Sequence, residues 1–388
     1  MSDLPYIPLA IPNITQAEGD NLQECIRSTF VSTVGAFVGE LESGVAKLSG
    51  TEHAAAMGAG TMALHMALHA LNIGRGDLVI LPSFTFIASA NSIAHSGARP
   101  WLFDIEADSW TLDAVKVRAG LEAKAEKRGE AWFHKETGER IAAIMPVYTL
   151  GTPADMDAVN AIAKEYGLPV VADAAAAIGV DYKGRPIGQC ADLTCYSFNG
   201  NKTITSGGGG MVVGNNEAVM ARIKHVSTTA RVSKAYDHDE VGYNYRMTNL
   251  EAAVGCAQLN RLPSFLEAKR RIRQTYDTVL GNISGVHPFP SPQDRSSTCW
   301  FSGIVIDADK QPTAQAICDA LMEQRIEART FWKPVHLQKP YVNVPSEDHS
   351  VGEDVWTRIV TLPCSTHLTE AEQDRVNIAL RSILNTKA

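Results

Sequence analysis

The chain has no apolar run of transmembrane length, no CxxC pair, no internal repeat and no low-complexity segment. Without a long apolar run there is no expected membrane span. Its seven cysteines, Cys25, Cys190, Cys195, Cys256, Cys299, Cys318 and Cys364, are odd in number and scattered. That spacing offers neither a zinc site nor a disulfide framework, so no metal is expected and reduced thiols in the cytoplasm are the simplest reading. The first residues, MSDLPYIPLAIPN, lack a basic segment followed by an apolar one, so no signal peptide is expected. An excess of positive charge is also missing. The formal net charge is −8, which argues against a general nucleic-acid or membrane-surface binder. What is present is 388 residues, 45% of them hydrophobic, enough to bury a large core and to divide into two domains.

Residues 1–14 read as an extended arm, because Pro5, Pro8 and Pro12 disfavour helix. Thr15–Thr29 reads as a polar-faced helix. Beyond residue 50, short apolar runs alternate with helical patterns. Leu78–Pro82, Ala142–Val147, Leu168–Ala172, Leu193–Phe198 and Gly210–Val213 suit strands of a sheet covered on both faces. Gly60–Leu71 and Asp155–Tyr166 each gather their apolar residues on one helical face. This alternation predicts an α/β domain, 15–262, with a mainly parallel sheet between helices. The charged stretch 122–141 predicts an exposed excursion with a hairpin around Lys135–Gly138. Asn249–Leu262 predicts a helix leading to a boundary near Leu262-Pro263-Ser264. A smaller α+β domain, 263–388, follows, with a strand at Trp300–Ile306 and helices at Thr313–Arg325 and Thr369–Leu384.

Lys202 lies in the run SFNGNKTITSGGGG, and Asp173 ends the apolar VVAD segment. A lysine and an acid delivered by successive strands suggest pyridoxal phosphate chemistry. The amine can hold the cofactor aldehyde as a Schiff base, and the acid can keep the pyridine nitrogen protonated. Gly58-Ala59-Gly60-Thr61 opens a helix and can offer free N–H groups and a hydroxyl to a phosphate. It can equally be a turn with Thr61 as a helix cap. Ser197 adds a hydroxyl five residues before Lys202. Phe86 follows a strand, where its ring can stack on a pyridine or simply fill the core. Asp173 can alternatively cap a helix. The four glycines 207–210 let the chain pass closely behind a ring.

Taken in order, FVSTVGAFV (30–38), AGTMALHMAL (59–68), PSFTFIASAN (82–91), VVADAAAAIG (170–179), SFNGNKTITSGGGG (197–210) and VGYNYRMTNLEAAVGCAQL (241–259) closely resemble the DegT/StrS-type sugar-nucleotide aminotransferases, which are fold-type I pyridoxal phosphate enzymes. The resemblance runs nearly end to end. It implies Lys202 as the Schiff-base lysine, Asp173 as the pyridinium partner, Phe86 as the stacking ring, and Gly60, Thr61 and Ser197 as phosphate ligands. Asn244 would reach the phosphate from a neighbouring subunit, so a homodimer with shared sites is implied. Trp332 and His336 fall in a segment placed near the sugar nucleotide.

The charged excursion and the GGGG run look most like the branch acting in legionaminic acid and bacillosamine biosynthesis. That implies amino transfer from glutamate to C4 of a UDP-linked 4-keto-6-deoxy-N-acetylhexosamine. The alternative within the family is a GDP- or dTDP-linked 4-keto-6-deoxyhexose, as for perosamine synthases. Outside it, the alternative is a non-catalytic sugar-nucleotide-binding regulator. Two positions depart from the family pattern. Ala176 stands where a Gln, His or Glu is usual, and Tyr148 stands where a His is usual.

Overall fold

The structure, a computed structural model, describes residues 4–385. Runs of apolar residues without polar alternation form the centre of a twisted sheet. Its strands are β1 (His53–Met57), β2 (Asp77–Pro82), β3 (Arg99–Phe103), β4 (Arg140–Ile144), β5 (Val171–Asp173), β6 (Leu193–Ser197) and β7 (Gly210–Gly214). Their spatial order is β1-β7-β6-β5-β4-β2-β3, with β4 and β5 joined through the bridges Ile144–Val170 and Val147–Asp173. Only β7 runs antiparallel to its neighbours.

Every side chain of β2 is buried, because both faces of the sheet are covered. Ala55, Met57, Val79, Leu81 and Val212 pack into one apolar layer with the Gly60–Ala70 helix. Ala54, Ala56, Leu78, Ile80 and Val213 face the opposite layer with the Met156–Tyr166 helix. This is the two-residue period of a strand expressed between two helical layers. The parallel strands β1, β6, β5, β4 and β2 end on one side, where Gly60, Ser197, Asp173 and the Ser83–Phe86 turn emerge.

Two strands differ from the expectation. His53–Met57 is mostly alanine and gives little strand signal. Arg99–Phe103 contains Pro100, which demotes a run from strand interiors. It is tolerated because β3 is the outermost strand of the sheet. The charged excursion forms a hairpin, Ala125–Arg128 paired with Ala131–His134, which turns at Gly129. The second turn, at 135–138, then leads into β4.

The helix predicted to stop at Leu262 continues to Leu280, with Pro263 inside it. Thr248 starts it through a reciprocal cap, accepting from Glu251 N–H while the Glu251 carboxylate accepts from Thr248 N–H. Proline deletes one backbone bond and crowds the preceding turn. Burial of Leu262, Phe265 and Leu266 against the large sheet, and of Ile272, Tyr276 and Leu280 against the small one, outweighs that cost. The proposed division at 262 and 263 therefore falls within one helix that both units share.

In the C-terminal part, Val286–Pro288, Ser302–Ile306 and Ile359–Leu362 form an antiparallel sheet. The Ala314–Glu323 and Glu370–Asn385 helices accompany it. The described part of the arm, residues 4–14, is extended and stitched to the C-terminal part, while residues 1–3 lie outside the described residues. Ile7 N–H donates to Arg325 O and Cys364 N–H to Leu9 O. No helix among the described residues is long and apolar enough to cross a membrane.

Candidate active site

The strand ends and the C-terminal unit enclose a cavity of about 680 Å³. It is lined by Gly60, Thr61, Phe86, Asp173, Ser197, Lys202 and Trp332, among others. Seven of the nine predicted site residues thus meet in one place, although they come from five separate segments.

Asp173 is buried at the end of β5. Ser89 Oγ donates to its Oδ2 at 2.7 Å and Ala175 N–H to its Oδ1 at 3.1 Å. Burial pushes the Asp173 carboxyl above the usual carboxylate range. The Ser89 and Ala175 bonds and the Lys202 charge pull it back. Ser89 Oγ is also 2.9 Å from Thr85 Oγ1, so Thr85, Ser89 and Asp173 form one buried polar chain. Neither hydroxyl stood out in the sequence. A serine inside PSFTFIASAN carries no signal until the fold brings it to an acid 84 positions away.

Lys202 is half-buried, and its amine makes no hydrogen bond or ion pair among the described residues. Burial lowers its pKa to about 8, against the upward pull of Asp173. Its Nζ lies 3.6 Å from the centroid of the Trp300 ring. Trp300, read only as the start of a strand, was not singled out by sequence either.

Opposite, Gly60 begins the Gly60–Ala70 helix, where N–H groups of the first turn lack intrahelical partners. A Cβ on Gly60 would come within 2.8 Å of Ser197 Cβ. A Cβ on Gly210 would come within 2.6 Å of Gly60 N. The glycines thus bring Ser197 and the helix terminus together. Gly207 and Gly209, at φ +84° and +90°, turn the chain behind them. Phe86 is 55% exposed and presents its ring to the cavity, 6.1 Å from Trp332.

These features fit pyridoxal phosphate. A carboxylate is held in a dry strand end, an amine in the same cavity makes no hydrogen bond or ion pair among the described residues, and an N–H-rich cradle exists only because residue 60 lacks a side chain. Bound there, Lys202 would hold the aldehyde carbon, Asp173 the ring nitrogen, and Gly60, Thr61 and Ser197 the phosphate.

Two predicted residues lie elsewhere. His336 does not line the cavity. Its Nδ1 is 2.6 Å from Ser83 Oγ, its Nε2 is 2.8 Å from Glu353 Oε1, and its ring stacks on His349 at 4.0 Å. It clasps the root of the Ser83–Phe86 turn. Asn244 is exposed, in a bridge with Thr228, outside this chain's cavity. Of the departures, Ala176 lines the cavity and its carbonyl accepts from Thr298 Oγ1 at 2.7 Å. The Tyr148 hydroxyl is buried without a hydrogen-bond partner among the described residues, in a cluster that includes Tyr182, Cys190 and Tyr196.

The profile of the DegT/DnrJ/EryC1/StrS aminotransferase family matches residues 12–381. The GDP-perosamine synthase of Caulobacter vibrioides is 36% identical over 99% of this chain and 100% of its own length. That of Escherichia coli O157:H7 is 34% identical over 95% of this chain and 96% of its own. Among solved structures, Spr1654 of Streptococcus pneumoniae in its PLP-form superposes with a TM-score of 0.86 at 26% identity, covering 98% of each chain. The chain belongs to the DegT/DnrJ/EryC1/StrS aminotransferase family and is a pyridoxal phosphate-dependent transaminase of the fold-type I class.

Proposed function

We propose that this transaminase moves an amino group from glutamate to C4 of a GDP-linked 4-keto-6-deoxyhexose. The observation that carries the nucleotide is full-length similarity, at 36% and 34% identity, to two relatives named GDP-perosamine synthase. That similarity favours the GDP-linked substrate over the UDP-linked N-acetylhexosamine reading. That reading leaned on the charged excursion, none of whose residues lines the cavity. It also leaned on the glycine run, in which Gly210 packs against Ala59 and Gly60 while Gly207 and Gly209 adopt positive φ, backbone requirements that do not depend on the sugar.

When bound, pyridoxal phosphate supplies an electron sink for charge released at the carbon that loses or gains the amine. The chain's residues do the rest. Asp173, ionised and held by Ser89 and Ala175, keeps a proton on the pyridine nitrogen. Lys202 would hold the aldehyde carbon, and its Nζ, when free, would move the proton at the donor's α-carbon. An amine whose pKa lies near 8 is suited to that work, because it loses and regains a proton close to neutrality. Phe86 and Trp332 supply apolar walls for ring-shaped groups. The reaction runs as two half-reactions in one cavity.

We infer a homodimer with shared sites from the position of Asn244. Asn244 is exposed and bridged to Thr228, closing a segment that also carries Val232, Tyr236 and Val241, which are 56%, 73% and 82% exposed. A second copy covering this segment would bury those apolar groups and receive Asn244. Equilibrium sedimentation should return twice the chain mass.

A panel of GDP-, UDP- and dTDP-linked 4-keto-6-deoxy sugars with glutamate tests the substrate assignment through loss of the keto sugar. The highest kcat/KM is expected for the GDP-linked compound. A preference for the UDP-linked N-acetyl sugar would return the protein to the other branch.

A further inference from the structure

Trp300 is fixed more firmly than a wall residue needs to be. Its indole Nε1–H donates to Asn201 O at 2.7 Å, its backbone N–H to Leu150 O at 3.1 Å, and its own carbonyl accepts from Lys269 Nζ at 2.8 Å. Lys269 is itself buried, and its other carbonyl partner is Cys364 O at 2.7 Å. Just before Trp300, Cys299 adopts φ +50° and Thr298 is tied to Ala176 O. The indole face so held lies over Lys202 Nζ, 3.6 Å from ring centroid to nitrogen. Indole is the strongest aromatic partner for an ammonium, and the attraction grows as water is excluded.

We propose that Trp300 is the positioning residue for Lys202, its indole face holding the ε-ammonium in place across the cavity from Asp173. This rests on Lys202 being the amine that carries the cofactor. During turnover the same face stabilises the ammonium formed when Nζ accepts the proton from the donor carbon, and it keeps that proton within reach of the reacting atoms. The tether from Asn201, the residue preceding Lys202, couples the ring to the backbone that carries the amine.

The charges facing Nζ are few. Asp173 lies at the end of β5 and favours the cation. Glu327 and Arg329, which pair with each other at 2.6 Å, line the same cavity from the C-terminal unit. The Lys269 ammonium sits behind Trp300, engaged by carbonyls. Burial acts in the other direction and lowers the amine to about 8. If the indole face favours the cation, its removal lowers the amine's midpoint further. If Trp300 only keeps water out, its removal lets water in and the midpoint rises. The two accounts therefore differ in sign.

The test is competitive acetylation of the cofactor-free protein across the alkaline range, with the Lys202 peptide quantified by mass spectrometry. Trp300→Leu removes the π face, and Trp300→Phe keeps an aromatic ring with a weaker one. The midpoint is expected to fall by roughly 0.4 to 1.5 pH units in the leucine variant and by less in the phenylalanine variant. The phenylalanine variant alone decides the sign if the leucine variant fails to fold. An unmoved or raised midpoint, with borohydride still fixing the cofactor on Lys202 in the wild type, overturns the role of Trp300. Failure of the wild type to take up cofactor at Lys202 overturns the premise and the inference together.

Discussion

Replacing Ser89 with alanine tests the electrostatics of the site without touching the lysine. The Asp173 carboxylate accepts two hydrogen bonds, and the shorter comes from Ser89 Oγ at 2.7 Å. A hydrogen bond to a charged group contributes about 1.5–3 kcal/mol, which corresponds to roughly one to two pKa units. The Asp173 carboxyl already lies above its ordinary range because it is buried. Losing Ser89 raises it further, so the ionised form that holds a proton on the pyridine nitrogen is reached only at higher pH. The acid limb of the pH–rate profile for the glutamate half-reaction should therefore move upward by about one to two units. At pH values above the new limb, most of the rate should remain. Stopped-flow absorbance of the holoenzyme mixed with glutamate over a pH series reads this directly. Ser89→Thr keeps the hydroxyl and should restore much of the shift. An acid limb in Ser89→Ala that coincides with the wild type, at normal cofactor content, would refute the claim that this bond holds the carboxylate ionised.

Gly60→Ala should weaken pyridoxal phosphate binding by about 5- to 150-fold, the range for 1–3 kcal/mol of overpacking, measured by titrating cofactor-free protein. Ser197→Gly in the same chain should recover thermal stability lost to the clash, because the added Cβ meets mainly the Ser197 side chain, but not the cofactor affinity, because it also removes a proposed phosphate ligand. Gly210→Ala should be worse and should not be rescued by Ser197→Gly, since its Cβ meets the backbone of Ala59 and Gly60 at 2.6 Å. His65 is buried, with neither ring nitrogen hydrogen-bonded among the described residues, and burial lowers its pKa to about 4. The unfolded chain, with His near 6.5, then binds more protons between those values, so stability should fall as pH drops from about 6.5 to 4, by up to the order of 3 kcal/mol. His65→Leu should flatten that part of a denaturation-midpoint-against-pH curve, and an unchanged slope would count against His65 as its source.

How far the sequence could be read depended on where each signal lived. Leu78–Pro82 was legible because a strand buried on both faces is apolar at every position. Arg99–Phe103 was not, because Pro100 argues against a strand unless the strand is known to lie at an edge, which is a property of the whole sheet. The helix through Pro263 was cut short for a similar reason. Local chemistry stops a helix there, and only packing on two separate cores carries it on to Leu280.

Within the site, Lys202 and Asp173 were legible because their chemistry is unusual at strand ends. Gly60 was legible because glycine opening a helix has a physical use. Ser89 and Trp300 were not. A serine hydroxyl and an indole are common, and only folding sets them against Asp173 and Lys202. His336 is the opposite case. It belongs to a suggestive segment, yet both of its nitrogens serve the Ser83–Phe86 turn and Glu353.

The account turns on which amine bears the cofactor. Borohydride reduction of the protein equilibrated with pyridoxal phosphate, followed by peptide mapping, reads this directly. The label should appear on the peptide containing Lys202 and vanish in Lys202→Ala, even though that variant still binds the cofactor without a covalent bond. A label on another lysine in the wild type, or none at all, would contradict the assignment of the site.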